Sequence, residues 1–411
     1  MKYGLIGERL SHSFSKEIHE ALGGYEYEIV EIAREELDAF MKKRDFTAIN
    51  VTIPYKEAVI PYLDYVSDQA REIGAVNTIV NREGRLFGYN TDFSGMTDLI
   101  NKAKIEIKGK KALVLGTGGT SKTATAVLSA LGARETILVS RSERAGAITY
   151  TEALEKHSDA DVIVNTTPAG MYPNIDGLPL DLSGFPRLSG AVDAIYNPLR
   201  TRFVQLAEER EAFAEGGLYM LVAQGVRASE IFLGREYPEG TSEKLYEKIL
   251  RSKENIVLSG MPASGKTTVG RLLAERLDRP FIDLDEEIVK TAGKPITEIF
   301  AEGGESLFRD IEAKVIRNVA KISGAVIATG GGAILRDENV RLLKQNGRIY
   351  FLDRPLEQLL PTADRPLAST VDAIVKRYNE RYERYLSTCN VRVENGGTAE
   401  DAADIIGGDF I

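Results

Sequence analysis

Short apolar runs alternate with amphipathic stretches along nearly the whole chain, and the alternation lays out its elements. Lys2–Ile6 reads as a strand, Gly7–Phe14 as a loop of small and polar residues, and Ser15–Leu22 as a helix with Ser15 as its N-cap. Tyr25–Ile32 predicts a second strand, Glu35–Lys43 a second helix and Ala48–Ile53 a third strand. Strand and helix in alternation imply an α/β layer. The pattern restarts at Lys111–Leu115, a buried strand followed by a glycine-rich turn, a helix over Thr123–Leu131 and a strand over Thr136–Val139. It restarts again at Ile256–Leu258, which meets a second glycine loop and a helix over Thr268–Leu277. Between the last two units, Pro238-Glu239-Gly240 breaks structure, and Ser242 opens a short charged helix ending near Leu250, so 237–253 reads as a semi-rigid linker. The expected fold class is α/β throughout: an N-terminal α/β domain, a Rossmann-like domain and a parallel-sheet domain built on a phosphate loop.

Composition narrows the classes without choosing among them. A length of 411 residues suits about two to three domains, and 43% apolar with 27% charged residues is ordinary for a globular chain. A formal net charge of −9 argues against general nucleic-acid binding. One cysteine, Cys389, excludes an intrachain disulfide and fits a reducing compartment as a core filler. His12, His19 and His157 lack metal-site spacing, so no structural zinc is expected. No signal-peptide pattern opens the chain and no apolar run approaches the ~20 residues of a membrane span, so the expected location is cytoplasmic.

Two glycine loops carry specific chemistry. Gly260-Met261-Pro262-Ala263-Ser264-Gly265-Lys266-Thr267, followed by Thr268, stands after a strand and opens a helix, the context in which G-x-x-x-x-G-K-[ST] binds nucleotide phosphates. Its backbone N–H groups and the helix N-terminus attract an anion. Lys266 then reaches the outer phosphates of ATP, and the Thr267 hydroxyl joins Mg²⁺. Gly116-Thr117-Gly118-Gly119-Thr120-Ser121 occupies the turn of a βαβ unit, where a dinucleotide places its pyrophosphate. The second strand of that unit ends in Val139-Ser140-Arg141-Ser142, with no acid for a ribose 2′-hydroxyl. Arg141, with Arg144 as a second cation, suits a 2′-phosphate and favours NADP(H) over NAD. Only four residues separate Ser142 from the strand-like Ala147–Tyr150, too few for a crossover helix, so this domain reads as trimmed at its adenosine end.

In the first hundred residues, polar side chains gather at element ends: Ser13, Ser15, Asn50, Thr52, Lys56, Asn77, Thr91 and Asp92. Ligands of α/β proteins sit at such ends. Lys56 and Asp92 are the informative pair, because reducing a carbonyl needs a proton donor beside the developing alkoxide and a carboxylate-held lysine can serve. The runs Leu10-Ser11-His12-Ser13-Phe14-Ser15, Asn50-Val51-Thr52-Ile53-Pro54-Tyr55-Lys56, Gly74-Ala75-Val76-Asn77-Thr78 and Gly88-Tyr89-Asn90-Thr91-Asp92 resemble shikimate dehydrogenase. Further matching runs follow at Val162–Met171, Asp193–Pro198 and Gly217–Gln224. The family reduces 3-dehydroshikimate to shikimate with NADPH. The resemblance implies that Ser13 and Ser15 hold the substrate carboxylate, that Thr52, Asn77, Asp92 and Gln224 bind ring hydroxyls, and that Lys56 with Asp92 handles the proton. It also implies that Tyr196 edges the substrate pocket and Met220 lies near the nicotinamide. The helix with Gln224 then returns to the first domain, giving a substrate domain of 1–101 plus 218–236 and an NADP domain of 102–217.

The rest of the chain, 254–411, is similar to shikimate kinase. It carries Phe281-Ile282-Asp283-Leu284-Asp285, read as a strand ending in two acids, then Phe308-Arg309-Asp310-Ile311-Glu312 on a helix. Gly330-Gly331-Gly332, Arg365-Pro366-Leu367 and Arg381 on a helix over Val371–Tyr385 complete the set. The resemblance implies that Asp283 holds Mg²⁺ through water, Asp285 accepts the proton of the attacking hydroxyl, and Arg309 and Arg381 clamp the substrate carboxylate. Gly331 and Gly332 then approach the substrate, and Arg365 on a lid meets the transferring phosphoryl group. Neither Leu359–Ala363 nor Glu394–Thr398 carries the basic residue that often packs on adenine, which predicts looser ATP binding. The expectation is a bifunctional enzyme acting on small-molecule substrates. Two rivals share its residues: an NAD-linked quinate/shikimate oxidoreductase joined to the kinase, and a regulatory protein whose first half only binds ligand.

Overall fold

The computed structural model describes residues 1–10, 13–360 and 370–410. They divide into two compact units, 1–249 and 250–411. Among the described residues no helix is long and apolar enough to cross a membrane.

The first unit contains two six-stranded sheets. One holds β1 (Tyr3–Gly7), β2 (Glu28–Glu31), β3 (Ala48–Val51), β4 (Tyr65–Val66), β5 (Thr78–Arg82) and β6 (Arg85–Tyr89) in the order β2-β1-β3-β5-β6-β4. Its β3–β5 and β5–β6 pairs are antiparallel and the others parallel. Both faces are covered, which is why β1 and β3 are apolar almost throughout. Ile6, Ile49 and Val51 pack on one side with Met41 and Phe46. Leu5, Ala48 and Val80 pack on the other with Ala228 and Phe232.

The second sheet is wholly parallel: β7 (Lys111–Leu115), β8 (Glu135–Ser140), β9 (Ala147–Thr149), β10 (Val162–Asn165), β11 (Gly190–Asp193) and β12 (Phe213–Glu215), ordered β12-β11-β10-β7-β8-β9. That is the doubly wound order, with its switch point between β7 and β10. The helix Leu218–Leu233 serves both sheets. Tyr219, Met220 and Ala223 pack with Val114, Val162 and Val192 of the second sheet, while Ala228 and Phe232 lie under the first. The helix Asp92–Lys102 crosses it at Gly95, where a Cβ would stand 2.7 Å from Met220 O.

Several boundaries differ from the sequence reading. Ser15 is the first helical residue and not the cap; Phe14 holds the cap position without a side-chain bond. The helix after the dinucleotide turn begins at Gly119, so Gly119 and Thr120 are helical. β9 pairs parallel to β8 although the 141–146 connection holds no helix. The ladder is only three residue pairs long, Leu138–Ser140 against Ala147–Thr149, so the chain retraces a few ångströms rather than a whole strand. The stretch expected as a linker is mostly a helix, Thr241–Lys253. It is tied to the first unit by the Glu243 carboxylate, which accepts from Tyr219 Oη at 2.7 Å, and by Tyr246, whose ring centroid lies 5.3 Å from that of Tyr219.

The second unit is one parallel sheet of β13 (Asn255–Ser259), β14 (Phe281–Asp283), β15 (Val326–Ala328), β16 (Gly347–Asp353) and β17 (Val391–Glu394), ordered β14-β15-β13-β16-β17. The central strand β13 is fully buried and leads into the phosphate loop and the helix Lys266–Arg276. Asp285 is not at a strand end: β14 stops at Asp283, whose Oδ1 accepts from Asp285 N at 3.0 Å and caps the helix Leu284–Ala292. Cys389 is half-buried, and burial pushes its thiol up.

Candidate active sites

In the first unit, Lys56 follows β3 and Asp92 opens the helix Asp92–Lys102. Their side chains are 13% and 7% exposed, and Lys56 Nζ lies 2.6 Å from Asp92 Oδ2. Beside them Asn77 Nδ2 donates to Thr91 Oγ1 at 3.0 Å and to Gln224 Oε1 at 3.4 Å, and Thr91 Oγ1 donates to Gln224 Oε1 at 3.3 Å. Gln224 Nε2 is fixed on Leu221 O at 2.9 Å. Thr91, one of the polar residues gathered at element ends, therefore joins residues far apart in sequence. Behind this group Asn50 accepts from Tyr27 Oη at 2.7 Å and donates to Asn77 O at 3.2 Å.

Ser13 and Ser15 meet, Oγ to Oγ, at 3.1 Å, and Ser13 Oγ accepts from Ser15 N at 3.2 Å. Tyr196 lies over them: its ring centroid is 5.1 Å from that of Phe14. Burial pushes the Tyr196 hydroxyl above its ordinary value, with the nearby Ser13 hydroxyl opposing. Thr52 is half-buried against Gly7, where a Cβ would stand 2.7 Å from Thr52 Cγ2. Asp193 is buried at the end of β11 and accepts from Thr201 Oγ1 at 2.6 Å, Asn165 Nδ2 at 2.9 Å and Ile195 N at 3.0 Å. Desolvation raises its carboxyl to about 7 against those bonds.

The dinucleotide turn adjoins this group. Gly116 takes φ 110°, which favours glycine, and Gly118 is extended before the helix begins. A Cβ on Gly119 would lie 3.4 Å from Lys56 Cβ, so the start of the cofactor helix rests on the lysine stem. Lys122 pairs with Glu57 at 2.7 Å across the same seam. Thr120 is half-buried beside Gly119, and Met220 is buried in the core below the turn. At the end of β8 Ser140 is buried, Arg141 is exposed, and Arg144 Nη1 donates to Thr117 Oγ1 at 2.6 Å. Turn, helix start and cations fit a phosphorylated dinucleotide.

In the second unit, Gly260, Ala263 and Gly265 take φ of 149°, 65° and 87°, and the loop curls around the Lys266 ammonium. Lys266 Nζ is buried on Met261 O at 2.8 Å and Gly260 O at 3.0 Å. Ser264 is buried and Thr268 exposed. Thr267 Oγ1 donates to Asp283 Oδ2 at 2.8 Å. No cluster of three or more metal-ligating side chains occurs among the described residues. Mg²⁺ in such sites takes few protein ligands beside water and phosphate, so Thr267 and Asp283 fit it.

Opposite the loop, Arg309 Nη1 donates to Glu312 Oε2 at 2.7 Å and Nη2 to Glu305 Oε1 at 3.0 Å. Glu312 is fully buried; desolvation raises its carboxyl, Arg309 opposes this, and nearby Asp285 adds to it. Asp285 Oδ1 and Glu312 Oε1 both lie 3.0 Å from where Gly330 would carry a Cβ. On Gly332 a Cβ would fall 2.1 Å from Arg309 Nη2, so this glycine makes room for the guanidinium. Gly331 O accepts from Arg381 Nη1 at 3.1 Å and from Tyr385 Oη. Arg365 lies outside the described residues.

A lysine–carboxylate pair on a dinucleotide turn, and a phosphate loop facing buried arginines, define two enzymes in one chain: a dinucleotide-linked oxidoreductase and a phosphotransferase. Residues 5–79 match the family model of the shikimate dehydrogenase substrate binding domain, and 262–407 that of shikimate kinase. The chain belongs to the shikimate dehydrogenase family and carries a shikimate kinase domain after it in sequence. Shikimate dehydrogenase (NADP(+)) of Clostridium perfringens is 37% identical over 265 residues, covering 60% of this chain and 97% of that protein. The crystal structure of shikimate dehydrogenase 1 from Peptoclostridium difficile matches at 36% identity and a TM-score of 0.57, over 61% of this chain and 98% of that one. That of the Thermus thermophilus shikimate 5-dehydrogenase, in complex with NADP(H) and shikimate, matches at 32% identity and a TM-score of 0.54, over 60% and 99%.

Proposed function

We propose that this chain is a bifunctional enzyme that reduces 3-dehydroshikimate to shikimate with NADPH and phosphorylates shikimate with ATP. In the first reaction the nicotinamide supplies the hydride. Lys56 gives its proton to the carbonyl oxygen as charge develops there, and Asp92 keeps the ammonium aimed. Ser13 and Ser15 hold the carboxylate under Tyr196. Thr52, Asn77, Asp92 and Gln224 bind ring hydroxyls, with Thr91 locking the Asn77 and Gln224 amides in orientation. Arg141 and Arg144 take the 2′-phosphate that distinguishes NADP from NAD.

In the second reaction ATP supplies the phosphoryl group and Mg²⁺ neutralises its charge. Lys266 moves from the loop carbonyls to the outer phosphates, while Thr267 and Asp283 hold the metal. Asp285 orients the attacking hydroxyl and accepts its proton. Arg309 and Arg381 clamp the carboxylate in the fork geometry a guanidinium offers, and Glu312 holds Arg309 in place. Arg365 meets the transferring group.

The observation that carries the reading is the 2.6 Å Lys56–Asp92 pair against Gly119, because a carboxylate-held lysine beside a dinucleotide turn is the arrangement that protonating a reduced carbonyl requires. One experiment tests both halves: purified protein with 3-dehydroshikimate, NADPH, ATP and Mg²⁺, following NADPH consumption and ADP release. NADPH consumption that needs 3-dehydroshikimate, and ADP release that needs the first product, support it. Substrate binding without NADPH turnover leaves only a ligand-binding first half, and faster shikimate oxidation with NAD⁺ than NADP⁺ makes it NAD-linked.

A further inference from the structure

Strands β16 and β17 end side by side at the phosphate loop. Asp353 pairs with Glu394 in register, and Asn395 N donates to Asp353 O at 3.0 Å, so Arg354 and Asn395 continue the two strands as neighbours. Alternation along a strand decides which face they take. Tyr350, Leu352 and Val393 point into the core under the helices Lys266–Arg276 and Ala399–Phe410. Phe351 instead stacks on Tyr385, and Asp353 accepts from Tyr382 Oη at 2.9 Å, both on the helix Val371–Thr388. Arg354 and Asn395 fall in step with the first set, on the side of the phosphate-loop helix. Asn395 bears this out, because its Nδ2 donates to Ser264 O within the loop at 2.6 Å.

Two polar atoms at this corner have no use within the protein. Arg354 Nε is shut off from water with no hydrogen-bond partner, and among the described residues Arg354 makes no ion pair. Asn395 is 2% exposed, and its Oδ1 is equally without a partner. A buried polar atom left unpaired costs stability, so two together call for a ligand. A nucleobase answers both: its π face takes a guanidinium and its exocyclic amino group donates to an amide oxygen.

Resting on the kinase reading, we propose that Arg354 is the base-contacting cation of the nucleotide site, supplied from β16 where Leu359–Ala363 and Glu394–Thr398 carry none. Asn395 accompanies it, bracing the loop through Nδ2 and offering Oδ1 to the base.

Calorimetric titration of the full chain with ADP, and separately with inorganic tripolyphosphate, tests this in wild type, Arg354→Lys and Arg354→Met, which keeps an apolar stem. Arg354→Met is expected to weaken ADP about two- to thirtyfold, the span of a cation over a ring, with Arg354→Lys between. Tripolyphosphate, which has no base, is expected to bind all three alike, which also shows that the variants are folded. Equal ADP affinity in wild type and Arg354→Met overturns the proposal. A parallel loss of tripolyphosphate overturns it too, by making Arg354 a phosphate ligand. A wild-type chain that binds neither probe rejects the kinase reading itself.

Discussion

Replacing Gly332 with alanine isolates what one methyl group does to the kinase half. The backbone there, at φ −117° and ψ 1°, accepts alanine without strain. The added Cβ would stand 2.1 Å from Arg309 Nη2 and 2.4 Å from its Cζ. An ordinary contact needs about 3.4 Å, so the guanidinium must retreat by about 1.3 Å. Arg309 reaches this spot on a flexible stem, so the cost falls on its aim and not on the fold. Retreat breaks the 2.7 Å bond to Glu312 and pulls the fork from the position proposed for the substrate carboxylate. A hydrogen bond to a charged group is worth roughly 1.5–3 kcal/mol, so the shikimate KM should rise about ten- to 150-fold. The assay is kinase initial rate against shikimate at saturating ATP, with the dehydrogenase rate of the same sample as an internal measure of folded protein. Unchanged dehydrogenase and an unchanged shikimate KM would refute the reasoning, because Arg309 would then have no part in holding the substrate.

The remaining predictions concern single side chains. Lys56→Ala should lower dehydrogenase kcat by about 100-fold or more with the kinase untouched; a loss under tenfold with a raised KM would leave Lys56 a binding residue only. Asp285→Asn should abolish phosphoryl transfer while ADP still binds by calorimetry, and retained turnover would remove Asp285 from the mechanism. Asp193 binds its proton more tightly folded, at about 7, than unfolded, at 3.8, so its contribution to stability falls as pH rises through that window. The Tm difference between wild type and Asp193→Asn should therefore move in the variant's favour from pH 4 to pH 7, as differential scanning fluorimetry would read; a constant difference would mean Asp193 is ionised throughout.

Much of this was legible in the chain. Both glycine loops stand at the strand-to-helix turns their spacing called for, and Lys56 and Asp92, 36 positions apart, meet. The failures have physical causes. Phe281–Leu284 is mostly apolar, so the pattern carries a strand through to Asp285; the Asp283 side chain instead caps a helix with no loop between, and alternation cannot show a transition that abrupt. Ser15 resembled a cap, yet its hydroxyl is engaged by Ser13, a contact set by the turn at Phe14. The parallel β8–β9 pair escaped a rule drawn from full-length crossovers. Arg354 was invisible because nothing in its neighbours marks it; only the register of β16 against β17 brings it beside Asn395.

The helix Leu218–Leu233 has a consequence for how the polypeptide is made. Leu5, Ala48 and Val80 of the first sheet are sealed by Ala228 and Phe232, so a ribosome must deliver more than two hundred residues before that face is covered. The second sheet draws all its strands from Lys111 to Glu215 and is contiguous in sequence. Its Leu113, Ile163 and Ala191 face closes on segments from within that stretch while the first sheet still waits, whereas its Val114, Val162 and Val192 face is covered by Tyr219, Met220 and Ala223 of the same helix. A nascent chain stalled before Leu218 should carry one closed face in its middle sheet and an open beginning, and the uncovered apolar faces are the surface a chaperone would meet.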